Sequence, residues 1–123
     1  MGQPIAHFEI IGTDPARLRG YYGELFGWRF GIGDAASEHV SASGQYGFVD
    51  GESTGGINGG VGGGPGYGSR ILVYVAVPDV GEALRRAEEL GGVRRFGPIV
   101  RDGFAVGQFT DPEGNVVGVA GAR

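Results

Sequence analysis

The sequence predicts an α+β fold in which one strand–helix–strands unit is used twice. Three observations carry that expectation. The run IAHFEII (Ile5 to Ile11) reads as a strand and is followed by a capped amphipathic helix. The same order returns from Ile71 onward. The two copies align at a constant offset, with Asp14 against Asp79, Leu25 against Leu90 and Gly27 against Gly92, each pair 65 residues apart. Such a unit cannot bury its own sheet face, so two copies are expected to complete each other within one domain spanning residues 1–123.

In the first copy, Asp14-Pro15 supplies an N-cap and a proline at the first helical position. Leu18, Tyr21, Tyr22, Leu25 and Phe26 recur at helical spacing, Gly27 sits at the expected C-cap, and Trp28 to Phe30 reads as a returning strand. In the second copy, Ile71 to Val77 is a strand, and Asp79 with Glu82 makes a capping-box pattern. Val80, Ala83, Leu84, Ala87 and Leu90 form the apolar stripe of its helix, which Gly91-Gly92 ends. Both stripes, Leu25 and Leu90 included, are expected to be buried against Phe8, Ile10, Val73 and Val75. Strands follow near Val93 to Phe96, Phe104 to Thr110 and Val116 to Ala120, the last two joined by the turn-forming Asp111 to Asn115. The glycine-dense stretch from Gly55 to Gly68 separates the copies. The first module is placed at about 1–60, a flexible linker at about 61–69 and the second module at about 70–123.

Whole-chain numbers narrow the function classes. The 123 residues are 41% hydrophobic and 20% charged, ordinary for a globular protein. No apolar run approaches the ~20 residues of a membrane span, and the start lacks a signal-peptide pattern, so a cytoplasmic protein without membrane contact is expected. With no cysteine there is no disulfide, zinc-thiolate site or thiol nucleophile. A net charge of −4, with arginines scattered singly or in pairs, disfavours nucleic acid as a partner. Gly51 to Gly55 fits the GxSxG pattern of hydrolases, but no histidine follows His39 to complete a triad. The glycine run lacks the GK[ST] ending of a phosphate loop and leads into a strand.

The segments HFEI, YYGELFGW, YVAVPDV and FTDPEGNVVGVA, in this order and spacing, resemble the vicinal oxygen chelate superfamily, the glyoxalase, bleomycin-resistance protein and dioxygenase group. The resemblance covers nearly the whole chain. It implies two βαβββ modules whose curved, mainly antiparallel sheets surround a cup, with helices outside, and it implies a homodimer. In that group a metal is held by a histidine early in the first strand, a histidine or glutamine at the matching place in the second module, and a glutamate late in the last strand. His7 matches the first. The other two places carry Leu72 and Gly118, and no carboxylate stands near Gly56 to Gly60 where glyoxalase-type sites have one. The expectation is therefore a lost metal site and no cofactor.

The ligand-binding residues expected are His7, Glu9, Leu72, Tyr74 and Gly118, with Trp28, Phe48, Phe104 and Gln108 as further lining. Strand alternation puts His7 and Glu9 on one face, and Leu72, Tyr74 and Ala76 on the cup side of the second module. A direct His7–Glu9 pairing would raise the imidazole pKa and suit proton transfer. The expected function is metal-free binding of a small organic molecule in the cup. The alternatives are a lyase, dioxygenase or thiol transferase with displaced metal ligands, a metal-free isomerase using His7 and Glu9 as acid and base, or a structural domain whose cup is filled by side chains.

Overall fold

In the computed structural model, which describes residues 2–123, the chain forms eight strands and three helices. They run β1 (Ile5–Gly12), α1 (Pro15–Phe26), β2 (Gly31–Gly33), β3 (Tyr46–Val49), α2 (Gly51–Thr54) and β4 (Asn58–Gly63). The second set is β5 (Arg70–Ala76), α3 (Val80–Glu89), β6 (Val93–Arg101), β7 (Phe104–Thr110) and β8 (Val116–Gly121). Both sets are βαβββ modules. The chain separates into two compact units, residues 7–71 and residues 72–123 together with 1–6. Among the described residues no helix is long and apolar enough to cross a membrane.

Within residues 7–71 the strands lie in the order β2-β3-β4-β1. The β1–β4 pair is parallel and the other two pairs are antiparallel. The caps read from the sequence set α1: the Asp14 carboxylate accepts from the Arg17 N–H, and Gly27 ends the helix at φ 71°. The left-handed turn at Gly27 folds Trp28 back beneath the helix, where its ring meets Phe8 (5.2 Å), Tyr22 (5.7 Å) and Phe26 (5.3 Å). Residues 28–30 are thus not a strand, and pairing begins only at Gly31.

The glycine-dense stretch also departs from expectation. Residues 61–63, given to a flexible linker, belong to β4, where Val61 is fully buried. The glycines there make room for rings. A Cβ at Gly59 would stand 1.9 Å from Phe8 Cε1, and one at Gly60 would stand 2.1 Å from the Tyr46 ring. The composition of a linker here marks close approach of side chains to a strand.

Residues 72–123 form the order β5-β8-β7-β6, again with one parallel pair, β5–β8, and two antiparallel pairs. Asp79 caps α3 through the Glu82 N–H, and Asp111 closes the β7–β8 turn by accepting from the N–H groups of Glu113 and Asn115. Val80 and Leu84 of α3 pack on Ala105 of β7 and Val119 of β8 in a fully apolar core, with Val77, Ala83 and Phe109 around it. The helix covers one sheet face, and Leu72, Tyr74, Gln108 and Gly118 belong to the other.

The helical stripes were misjudged at their C-terminal ends. Leu25 is 57% exposed and Leu90 63% exposed. In α1 the side toward the sheet is marked by Pro15, Arg19 and Gly23: Arg19 reaches over Gly47, and Gly23 approaches the Trp28 carbonyl and the Phe30 ring. The apolar stripe is turned off that line and leaves Tyr21 and Leu25 to solvent. In the second module, Leu90 is the cap residue beyond α3. In urea titrations Leu84→Ala is expected to lose about 2–5 kcal/mol, whereas Leu25→Ala and Leu90→Ala each lose less than about 1 kcal/mol. Equal losses at all three positions would contradict this core.

Candidate functional site

The sheet face of residues 7–71 opposite α1 gathers a hydrogen-bonded chain from two strands. His7 and Glu9 stand two residues apart on β1, and Tyr46 opens β3. The Tyr46 hydroxyl donates to Glu9 Oε2 at 2.7 Å and lies 2.9 Å from His7 Nε2. Because the hydroxyl proton is directed to the carboxylate, the phenol oxygen is the acceptor toward the imidazole, and Nε2 must carry a hydrogen. Glu9 is 2% exposed and Tyr46 is equally buried, so the chain satisfies a carboxylate that burial would otherwise penalise.

His7 and Glu9 are linked through Tyr46, a residue that sequence reasoning missed. The signal was available two residues before Phe48: alternation puts Tyr46 and Phe48 on one face, and their rings meet edge-on at 4.9 Å. The electrostatic expectation for His7 also reverses. Its pKa lies below the ordinary 6.5 because burial disfavours the imidazolium.

Tyr46 lies over a glycine floor. Its ring occupies the space that side chains at Gly60 and Gly62 would need, with Ser41 Oγ also packed against Gly62 and accepting from the Gly63 N–H at 2.9 Å. Trp28 does not join this face: its partner Phe8 alternates with His7 and Glu9, and both rings lie on the helix side.

The corresponding face of residues 72–123 repeats the device. Tyr74 pairs across β5–β8 with Gly118, and its ring would stand 2.3 Å from a Cβ at that glycine. Gln108 Nε2 donates to the Tyr74 hydroxyl at 2.6 Å, while Gln108 Oε1 accepts from Arg95 Nε at 3.2 Å. Gln108 is 1% exposed and Leu72 is also buried. Phe104 shares the Gln108 face by alternation along β7 and is more open to solvent. Arg95 is the member of this network that the sequence reading did not name.

The metal site implied by the family resemblance does not fit these residues. Leu72 has no donor atom, and at both Gly60 and Gly118 a tyrosine ring fills the volume where a carboxylate-bearing side chain would begin. Among the described residues no three histidine or carboxylate side chains come together as a ligand group.

No family profile and no curated protein matches the sequence. Solved structures do. A hypothetical protein of Bacillus halodurans aligns with TM-score 0.67 at 15% identity, covering 98% of this chain and 95% of the other. A methylmalonyl-CoA epimerase variant of Streptomyces coelicolor, in complex with 2-nitronate-propionyl-CoA, aligns with TM-score 0.66 at 14% identity, covering 97% and 96%. An NAD-dependent benzaldehyde dehydrogenase of Legionella pneumophila gives 0.61 at 13%, covering 95% and 98%.

Two measurements follow from this geometry. Because the folded state resists protonating His7 more than the unfolded chain does, its contribution to stability is complete above the unfolded value of 6.5 and is lost as pH falls from there toward the lowered folded value. The melting temperature should drop between about pH 7.5 and about pH 5.5, and His7→Gln should flatten that drop; parallel curves for both proteins would contradict the burial of His7. Gly118→Ala should cost about 1–3 kcal/mol by overpacking against Tyr74, and a neutral result in urea titration would remove the ring from that place. In its modules, strand order and caps, the chain has the paired βαβββ fold that its sequence resemblance to the vicinal oxygen chelate superfamily implied.

Proposed function

We propose that the protein binds a small organic molecule on the helix-free face of its sheets without a metal ion. The observation that carries this reading is the His7–Tyr46–Glu9 chain, in which the buried carboxylate fixes the phenol and the phenol fixes the imidazole. His7 is the least buried of the three and is the member placed to meet a ligand. Phe48 beside it offers an aromatic wall. In the second module the Gln108–Tyr74 pair supplies a further polar group on the corresponding face. Homodimerisation belongs to this reading on the family resemblance, and a cytoplasmic setting on the sequence pattern.

A metal-free acid–base isomerase is the second reading, favoured by one feature: the Tyr46 hydroxyl bridges His7 and Glu9 and so forms a path along which a proton could pass between imidazole and carboxylate. The fold neighbours do not decide between the two, since at this identity they share architecture only.

Protein purified without chelator should carry far less than one transition metal per chain by elemental analysis. Stoichiometric zinc, nickel, manganese or iron that disappears in His7→Ala would overturn the metal-free reading. For a ligand found by thermal-shift screening, His7→Ala and Tyr46→Phe should each weaken binding by about 1–3 kcal/mol. Normal binding by both variants would leave this face without the proposed role. Catalysis, if present, should appear as ligand turnover that Tyr46→Phe slows.

A further inference from the structure

A second feature of residues 7–71 lies away from the hydrogen-bonded chain. A groove of about 830 Å³ runs between the end of β1, the first half of α1 and the start of β5. Leu18, Tyr21 and Ile71 give it apolar and aromatic walls, and Arg17 and Arg70 stand in the same lining. Tyr21 and Ile71 are 62% and 72% exposed, so this apolar surface faces solvent. The volume falls within the range of small-molecule sites.

The two arginines distinguish the groove from a casual depression. Most other arginine side chains of this acidic chain are held by an ion pair or a hydrogen bond, as at Arg19, Arg85, Arg86, Arg94 and Arg95. Neither Arg17 nor Arg70 forms an ion pair among the described residues. The one carboxylate in the lining, Asp14, caps α1 through the Arg17 backbone N–H and is not salt-bridged to either guanidinium. Two guanidinium groups against one carboxylate leave the groove with an excess of positive charge in a protein whose net charge is −4. Guanidinium forks match the oxygens of carboxylate, sulfonate and phosphate groups, and the aliphatic stem of an arginine also packs on apolar surface.

We infer that this groove is a binding site for an amphipathic organic anion, with Arg17 and Arg70 on the anionic group and Leu18, Tyr21 and Ile71 on an aromatic or alkyl body. It is separate from the His7 face, and its test uses different residues. The probe is anilinonaphthalene sulfonate, which carries one sulfonate on an apolar ring system, compared by fluorescence with phenylnaphthylamine, which has the same rings and no charge. Native protein should bind the sulfonate dye saturably and more tightly than the neutral one. The double variant Arg17→Gln/Arg70→Gln should weaken the sulfonate dye at least about tenfold while leaving the neutral dye and the melting temperature unchanged. His7→Ala should leave the dye affinity intact. The inference is overturned by absence of saturable binding to the native protein, by equal affinity for the two dyes, by undiminished binding in the double variant, or by loss of binding in His7→Ala.

Discussion

The helix-free faces of both modules depend on one steric constraint: a tyrosine ring lies flat where a glycine leaves no Cβ. Tyr46 occupies the space above Gly60 and Gly62, and Tyr74 the space above Gly118. Each hydroxyl is held by a buried polar side chain, Glu9 in one module and Gln108 in the other. Neither half of the device works alone. Without the glycines the rings would clash, and without the rings the glycines would leave voids and unpartnered polar atoms beneath them.

That constraint accounts for the chemistry each face can offer. The volume that a metal-binding carboxylate would need near Gly60 or Gly118 is filled by carbon, so the residues that remain polar are tied into internal chains. In the first module the chain ends at His7, whose imidazole is oriented through Tyr46 and kept toward its neutral form by burial. With its Nε2 hydrogen given to the Tyr46 oxygen, a neutral imidazole presents Nδ1 as an acceptor, suited to an O–H or N–H donor. The anion-complementary groove near Arg17 and Arg70 has the opposite character, with two cationic side chains beside apolar and aromatic walls.

Much of the architecture was legible in the sequence because it is written in local rules. The 65-residue repeat, the Asp14 and Asp79 caps, the Gly27 stop and the Asp111 turn each depend on neighbours within a few positions. Strand alternation put Tyr74 on the cup side, the family resemblance pointed to Gly118, and Gln108 was named as further lining; the β5–β8 and β7–β8 registers bring the three to one face. What depended on long-range packing was not legible. Gly62 and Gly63, read as linker, belong to a strand because Ser41 and Tyr46 lie against the first and the Gly12 backbone against the second. Trp28 read as strand lining, yet the turn at Gly27 returns it to Phe8 on the helix side. Leu25 and Leu90 fitted the helical period, but Leu25 is turned off the sheet-facing side of α1 and Leu90 stands beyond the end of α3. Alternation with Phe48 marks the face of Tyr46, but its role depends on His7 and Glu9, 39 and 37 residues away.

The stacking of tyrosine on glycine is directly observable by proton NMR. An aromatic ring packed face-on against a glycine shields its α-protons, so the α-protons of Gly60 and Gly118 should resonate well upfield of those of Gly2 and Gly20, where a Cβ would meet no side chain within 4 Å. Replacing Tyr46 or Tyr74 by leucine should return the glycine beneath it to an ordinary position while leaving the other unchanged. Unshifted α-protons at Gly60 and Gly118 in the native protein would contradict the account, because the rings would then lie elsewhere and the places of the missing ligands would be open.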